Sequence, residues 1–183
     1  RDQFREAIEL RPNDYAPYEA LSDSYVRADD LDGLRTEWTH AAEAHPDCAL
    51  VHYCLGLAYH RDGQLDRAIV SYRRALELNP SGQGTKDALA QALTQRGQQR
   101  CAEDRTPEAR DQFREAIGLR PDAYEAYEAL SNTYVKADDL EGLRTEWTRA
   151  AEAHPDRPQV HYSLGLAYQR LGMLDRAIAS YRK

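Results

Sequence analysis

Residues 49–80 decide the fold, and they read ALVHYCLGLAYHRDGQLDRAIVSYRRALELNP. Leu55 and Tyr59 fall on one face of a helix, and a second apolar stripe runs over residues 65–75. Apolar residues three and four positions apart mark the buried face of an α-helix. Gly63 breaks the chain between the stripes, and the closing proline stops the second helix because it lacks an amide hydrogen. The stretch therefore predicts two helices joined by a short turn.

The same hairpin recurs along the chain. A proline closes an apolar helical segment five times, at spacings of 34, 34, 41 and 34 residues, namely at Pro12, Pro46, Pro80, Pro121 and Pro155. An interval of 34 residues has room for two helices of about 12–14 residues and two turns. The pattern predicts an all-α protein made of helical hairpins in series.

A larger duplication contains these hairpins. Residues 1–74 align without a gap with residues 110–183, at a constant offset of 109, and 55 of the 74 pairs are identical. Because identity at this level leaves the core positions unchanged, both copies are expected to fold alike.

The hairpins resemble the tetratricopeptide repeat (TPR) family, whose pattern is a large residue, Leu-Gly, Tyr, and later Ala, an aromatic residue and Pro. The matching residues are His52, Leu55, Gly56, Tyr59, Ala68, Tyr72 and Pro80, with the copy His161, Leu164, Gly165, Tyr168, Ala177 and Tyr181. The preceding hairpin matches with Tyr18, Leu21, Ser22, Tyr25, Leu34, Trp38 and Pro46, and its copy with Tyr127, Leu130, Ser131, Tyr134, Leu143, Trp147 and Pro155. The resemblance implies a right-handed α-solenoid whose first helices line a concave groove.

The spacing divides the chain into repeats. We expect the second helix of an incomplete repeat at 1–14, repeats at 15–48, 49–82, 83–123 and 124–157, and an incomplete repeat at 158–183. The unit at 83–123 is seven residues longer, and we place the extra residues near 98–104, with Thr106 capping the next helix and Pro107 in its first position. The alternative puts them at 83–89, which would leave Arg96 and Arg100 where Leu and Tyr belong.

The resemblance assigns partner binding to the outward positions of each first helix. These are Glu19, Asp23, Arg27, Tyr53, Leu57, His60, Arg61, Asp87, Gln91, Glu128, Asn132, Lys136, Tyr162, Leu166, Gln169 and Arg170. Acidic positions alternate with aromatic and aliphatic ones, so the expected partner is a basic or apolar peptide or helix. The alternative is that Tyr53 and Tyr162 are ordinary consensus residues and that the carboxylates form a solvated face.

Composition argues against other classes of function. A net charge of −7 and a pI near 5.4 disfavour nucleic acid, whose phosphates need a basic surface. The longest apolar runs are too short to span a membrane. Three cysteines without regular spacing favour free thiols and a reducing, cytoplasmic location.

No catalytic motif stands out, and neither a cofactor nor a metal is expected. A mixture of histidine and cysteine at 45–54 has the composition of a metal site, but its copy keeps both histidines and has lost both cysteines. Asp29-Asp30 and Asp138-Asp139 suit helix starts rather than catalysis. The chain is therefore expected not to be an enzyme.

These observations favour a scaffold or adaptor that binds another protein. Two alternatives remain: a substrate-recruiting arm of a larger enzyme whose catalytic domain lies elsewhere, or a self-assembling structural array. Phe4 and Ile8 lack the first helix that Phe113 and Ile117 have within the chain. We expect either that the sequence is a window on a longer array or that its apolar ends stack on another copy, and apolar ends of this kind favour end-to-end self-association.

Overall fold

The computed structural model describes residues 1–12 and 14–183, and over these residues the chain is all-α, with eleven helices and no strand. It divides into two compact units, residues 1–92 and 93–183. The first unit contains α1 (Asp2–Leu10), α2 (Tyr15–Arg27), α3 (Leu31–Ala44), α4 (Ala49–Arg61), α5 (Leu65–Leu78) and the start of α6 (Gln83–Ala102). The second contains the rest of α6, then α7 (Thr106–Leu119), α8 (Tyr124–Lys136), α9 (Leu140–Ala153), α10 (Pro158–Arg170) and α11 (Leu174–Tyr181).

Turns inside the hairpins need one residue in the left-handed region. Gly63 and Gly172 supply it with φ of 72° and 73°, as glycine does without steric cost. In hairpins without this glycine, Asp29 and Asp138 take the same place with φ of 54° and 53°. Only the second aspartate of each expected pair therefore caps a helix: Asp30 accepts a hydrogen bond of 2.8 Å from the Gly33 amide.

Stacked aromatic rings fill the core of the first unit. Tyr18 on α2 stacks on Trp38 of α3 with ring centroids 5.6 Å apart, and both side chains are fully buried. The indole Nε1 of Trp38 donates a hydrogen bond of 3.1 Å to the hydroxyl of Ser22. This bond explains why serine stands where the family pattern has glycine, because it is small enough for the ring and satisfies the buried donor.

The second unit repeats this packing. Tyr127 stacks on Trp147 at 5.4 Å, and Trp147 Nε1 donates to the Ser131 hydroxyl at 3.0 Å. Phe113 and Val160 complete a buried cluster around the pair. The prediction that the two copies fold alike is confirmed at the level of individual hydrogen bonds.

Histidine can replace the usual large aromatic residue in two hairpins because it makes the same hydrogen bond as the tyrosine of the neighbouring hairpin. The Tyr18 hydroxyl donates to the carbonyl oxygen of Pro12 at 3.0 Å. His52 Nε2 makes the equivalent bond to the Pro46 carbonyl at 2.8 Å. Tyrosine and histidine both bring a flat ring with a polar tip to this position, so the hydrogen bond to the proline carbonyl survives the exchange.

The long hairpin corrects the expected place of its extra residues. An added Cβ at Gly97 would lie 2.5 Å from the Phe113 ring, just as one at Gly56 would lie 2.5 Å from Tyr72, and both pairs are 16 residues apart. Helix α6 has 20 residues and begins 14 residues before Gly97. Helix α4 has 13 residues and begins seven residues before Gly56, so α6 is seven residues longer at its start. The structure therefore puts the additional residues at 83–89, not near 98–104.

This register places two arginines at positions that are apolar in the family pattern, and their pairing with one carboxylate makes it possible. Arg96 and Arg100 do stand where leucine and tyrosine were expected, with side chains 11% and 15% exposed. Glu103 pairs with both, at 3.0 Å and 3.3 Å. Burying the arginine stems is tolerated because their charged ends find this carboxylate.

The start of α7 also differs from the prediction. Arg105, not Thr106, is the N-cap, and its side chain makes no capping hydrogen bond. Pro107 lies within the first two helical positions, where a missing amide hydrogen costs nothing. The expected role of Thr106 as a cap is therefore wrong.

A charged network ties successive hairpins together in each unit. Arg5 on α1 donates to both carboxylate oxygens of Glu37 on α3, at 2.8 Å and 2.5 Å, and to the Tyr25 hydroxyl at 3.1 Å. The Arg1 guanidinium stacks 3.6 Å from the Tyr25 ring centroid. The bond from Arg5 is the main reason that the pKa of Glu37 is lowered.

The copy of this network has the same geometry. Arg114 donates to Glu146 at 2.9 Å and 2.7 Å and to the Tyr134 hydroxyl at 3.1 Å. Arg110 stacks on Tyr134 at 3.6 Å, as Arg1 does on Tyr25. Burial acts to raise the pKa of Glu146, yet bonds from Arg114 and Tyr134 lower it overall.

Candidate functional site

A row of three tyrosines crosses the first-helix face of the first unit. Tyr53 on α4 lies between Tyr15 of α2 and Tyr72 of α5, with ring centroids 6.0 Å and 6.1 Å away. Tyr72 is fully buried and packs against Gly56, whereas Tyr15 is 39% exposed. The first tyrosine row (Tyr15, Tyr53, Tyr72) therefore runs from the core to an accessible edge.

The second unit carries the same row. Tyr162 on α10 lies 6.1 Å from Tyr124 of α8 and 5.8 Å from Tyr181 of α11. All three rings of this second tyrosine row (Tyr124, Tyr162, Tyr181) are between 41% and 46% exposed. Tyrosine and arginine are enriched where proteins bind partners, because a large flat ring contacts a ligand at small entropic cost.

The two rows end on different polar groups. The Tyr72 hydroxyl lies 3.4 Å from Nδ1 of His60. The Tyr181 hydroxyl instead donates to the Gln169 side-chain oxygen at 2.8 Å. His60 and Gln169 are equivalent residues of the two copies. The two rows therefore have tyrosines at equivalent positions and differ in the side chain that bonds to the third tyrosine.

Negative charge surrounds the first row. Burial, the neighbouring Tyr53 and the carboxylate of Glu19 raise the pKa of Tyr15. Burial is also the largest cause that raises the pKa of Tyr53, with further contributions from Glu19 and Asp87. The hydroxyl groups therefore stay neutral at physiological pH, and their rings lie near the carboxylates of Glu19 and Asp87.

A cleft opens next to the first row, between the first helices of neighbouring hairpins. Its volume is about 50 Å³, and the lining residues are Tyr15, Glu19, Ser22 and Asp23 from α2, Leu34 from α3, and Cys54, Leu57, Ala58 and Arg61 from α4. Residues 15, 19, 22 and 23 form one stripe of α2, because positions three, four and seven apart share a face. We call this space the acidic cleft.

The structure brings some of the predicted site residues together. Glu19, Asp23, Leu57 and Arg61 line the acidic cleft, and Tyr53 lies in the adjoining row. Gln91 is exposed on α6, and Arg27 and Lys136 are exposed in the last turns of α2 and α8. None of the sixteen predicted residues is buried.

In the second unit the predicted residues lie on two helices. Glu128, Asn132 and Lys136 are exposed on α8. On α10, Tyr162, Gln169 and Arg170 are exposed and Leu166 is half-buried.

Sequence reasoning missed Tyr15 and Tyr124 as site residues. Each is the first residue of its helix, so neither belongs to the repeating core pattern that singled out its neighbours. The signal that could have found them is the spacing to Glu19 and Glu128, four residues later on the same helix face.

Between residues 45 and 54 the two cysteines pack in or against the core, His52 bonds to the Pro46 carbonyl oxygen, and His45 is exposed. Cys54 is buried in the core cluster, and burial is the main reason that the pKa of its thiol is raised. The Cys48 sulfur lies 3.6 Å from the Tyr18 hydroxyl. Within residues 1–12 and 14–183, no three His, Cys, Asp or Glu side chains are grouped closely enough to hold a metal ion.

In the same part of the chain, every helix is too short or too polar to cross a membrane.

Fold and surface together define a helical-repeat protein that presents an exposed aromatic face, a class that serves as protein-interaction scaffolds. Comparison with family models agrees: residues 49–81 and residues 129–183 each match a model described as tetratricopeptide repeat. The chain is a tetratricopeptide repeat protein.

Two curated proteins show sequence similarity. Protein O-mannosyl-transferase TMTC1 of Homo sapiens is 27% identical over 153 residues, which are 81% of this chain and 17% of that protein. General transcriptional corepressor trfA of Dictyostelium discoideum is 28% identical over 117 residues, which are 63% of this chain and 8% of that protein. The chain therefore spans less than a fifth of either relative.

Solved structures show similarity of fold. A structure of MamA protein aligns with a TM-score of 0.52 and 21% identity, over 92% of this chain and 88% of MamA. YrrB, described as a TPR protein with an unusual peptide-binding site, aligns with a TM-score of 0.51 and 19% identity, over 98% of this chain and 93% of YrrB. At these identities the likeness concerns the fold alone.

Proposed function

We propose that this chain is a scaffold or adaptor in which the first-helix face of each unit binds a peptide or helix of a partner protein through the tyrosine row of that unit. The observation that carries the proposal is the duplicated row, in which the first two rings of each copy (Tyr15 and Tyr53, Tyr124 and Tyr162) are at least partly exposed. Rings held by neighbouring rings offer a preorganised apolar surface, which lowers the entropic cost of binding.

The charge of the face favours a basic and apolar ligand. Glu19 and Asp87 act on the first row, and Glu128 acts on Tyr124 in the second. Like charges across an interface disfavour binding, whereas opposite charges speed the encounter and fix the register. A segment rich in arginine and leucine therefore suits the face better than an acidic one.

The proposal is tested with the double variant Tyr53→Ala/Tyr162→Ala and a fluorescent hexapeptide of alternating Arg and Leu. We expect the variant to bind about tenfold more weakly, because loss of an aromatic anchor removes a large part of the interface energy. The matched control is Val70→Ala, which changes an exposed residue of α5 to the alanine already present at 179. Circular dichroism establishes that all proteins are folded.

Two results would count against binding of a basic peptide on the first-helix face. Equal binding by the double variant and the wild type would move the site to another face. Tighter binding of an alternating Glu and Leu hexapeptide would reverse the proposed charge preference. Affinity capture from source lysate with the same variants then identifies the natural partner.

A second candidate is the substrate-recruiting arm of a larger enzyme, with no catalytic group in residues 1–183 themselves. The similarity to a protein O-mannosyl-transferase over 81% of this chain favours this candidate. Sequencing the complete open reading frame discriminates the two, because a catalytic domain would flank the repeats in an enzyme. An isolated chain that transferred mannose by itself would refute the absence of catalysis.

Self-association is a further proposal, and α11 carries it. Leu174 and Ile178 are 61% and 48% exposed, whereas their copies Leu65 and Ile69 are 4% and 5% exposed. An apolar face of this kind favours contact with another apolar face. Light scattering of the wild type should show a mass that rises with concentration, and Leu174→Glu/Ile178→Glu should abolish the rise; a constant monomer mass would contradict it.

We also propose a reducing compartment, such as the cytoplasm. Cys48, Cys54 and Cys101 are all free thiols, and reducing conditions keep thiols unpaired. Fractionation of source cells tests this proposal, and recovery of the protein from an oxidising compartment would oppose it.

A further inference from the structure

The acidic cleft has the size expected of a pocket for one side chain. Its lining combines apolar residues (Leu34, Leu57 and Ala58), the aromatic Tyr15 and the charged Glu19, Asp23 and Arg61. Its volume of about 50 Å³ exceeds the roughly 10–15 Å³ that a single water needs, and it opens to solvent. A group that enters it finds apolar side chains, an aromatic residue, two carboxylates and one guanidinium among its neighbours.

The two carboxylates of the cleft have no ion-pair partner among residues 1–12 and 14–183. In the part of the chain that the structure describes, neither Glu19 nor Asp23 forms an ion pair, although Arg61 lines the same cleft. By contrast, the carboxylate of Glu37 in the same unit is paired with Arg5. The cleft therefore offers negative charge that a ligand can satisfy.

We propose that the acidic cleft is a specificity pocket for an arginine side chain of the partner, an inference that rests on the proposed binding of a basic peptide to the first tyrosine row. A guanidinium is planar, so it stacks on an aromatic ring, and its five donors reach more than one carboxylate at once. Glu19 and Asp23 are four residues apart on α2, one turn of the helix, so both face the same ligand. A lysine ammonium satisfies the charge but neither stacks nor bridges in this way.

The second copy is a natural variant of this pocket. It keeps Tyr124, Glu128, Leu166 and Arg170, but Asn132 stands in place of Asp23. With one carboxylate instead of two, the equivalent place has weaker attraction for a cation. The two copies are therefore expected to discriminate arginine to different degrees, with the first unit the more selective.

The test uses three hexapeptides that alternate leucine with arginine, lysine or citrulline, the last being a neutral analogue of arginine. Binding to the first row is measured by fluorescence anisotropy in a Tyr162→Ala background. We expect the arginine peptide to bind about threefold more tightly than the lysine peptide and about tenfold more tightly than the citrulline peptide, in the range of partly exposed charge pairs. Asp23→Asn should weaken arginine binding about threefold and leave the citrulline peptide unchanged.

The reverse exchange gives a gain of binding. In a Tyr53→Ala background, Asn132→Asp should strengthen arginine binding about threefold. Folding is not expected to confound these variants, because Asn and Asp each occur natively at this position of one copy.

The outcomes separate the two proposals. If the arginine peptide depends on Tyr53 but Asp23→Asn and Glu19→Gln leave its affinity unchanged, the pocket is overturned and the peptide-binding face stands. Equal affinity for arginine and lysine also overturns the pocket. If no peptide binds, or if Tyr53→Ala has no effect, the proposed function and the pocket fall together.

Discussion

The two copies of the duplicated block keep their packing and exchange some polar groups on the first-helix face. The stacked pair Tyr18 and Trp38 recurs as Tyr127 and Trp147, with the same serine under the indole. On the first-helix face the tyrosines of both rows are also kept, whereas Asp23 becomes Asn132 and His60 becomes Gln169. Aromatic contacts that hold the hairpins together tolerate no change of shape, while exposed polar groups can be exchanged at small cost in stability. The difference teaches that polar groups on the first-helix face can be exchanged without altering the packing of the core.

The largest expected effect tests whether the two cores are equivalent. Trp38→Ala and Trp147→Ala should each lower the free energy of unfolding by about 3–5 kcal/mol, because each leaves a large cavity and removes the hydrogen bond from the indole to the serine hydroxyl. Urea denaturation measures both. Losses that differ by more than about 2 kcal/mol would show that equal packing does not give equal stability in the two units.

The charged networks give the next effect, and it depends on pH. The pKa of Glu37 and of Glu146 is lowered from the ordinary value of 4.5. A lowered pKa in the folded state means that the stabilisation is present above the unfolded pKa and is lost as pH falls through the folded value. Glu37→Gln and Glu146→Gln should therefore cost about 1 kcal/mol at neutral pH and almost nothing in strong acid.

Thermal unfolding of each variant and the wild type between pH 7 and pH 2 checks this prediction. The arginine partners are partly exposed, so high salt should reduce the difference. A cost that stayed constant across this pH range would contradict the assignment to the carboxylates.

A smaller effect compares hairpins that turn through glycine with those that turn through aspartate. Asp29→Gly should stabilise the chain by about 0.5–1 kcal/mol, since an L residue in the left-handed region is strained and glycine is not. Asp138→Gly should do the same in the second unit. Chemical denaturation measures the gain, and a loss of stability would show that the aspartate side chain has a compensating contact.

The smallest effect is expected where the copies already differ. His60→Gln gives the first row the polar group of the second, so the free energy of unfolding should change by less than about 0.5 kcal/mol. Differential scanning calorimetry provides the measurement. A larger loss would mean that the contact between His60 and Tyr72 contributes to folding as well as to the surface.

Much of the fold could be predicted because repetition removes ambiguity. Helix-period stripes, regularly spaced prolines and a duplicated block all indicate the same hairpins, and the structure contains them. The long hairpin was misjudged because Arg96 and Arg100 violate the apolar pattern, and a pattern contains no information about Glu103 pairing with both. The site was predicted only in part: the faces of α2 and α4 followed from helical spacing, but the contact of Tyr15 with Tyr53 required the positions of two helices.

The sequence by itself determined the class of fold, the hairpin period and the equivalence of residues 1–74 and 110–183, because these depend on local periodicity and on identity between copies. Only the tertiary structure decided which side chains meet. The register of Gly97 against Phe113, the two tyrosine rows and the unpaired carboxylates of the acidic cleft arise from distances between helices far apart along the chain. Such distances follow from how side chains fill the space between helices, and one-dimensional spacing does not contain them.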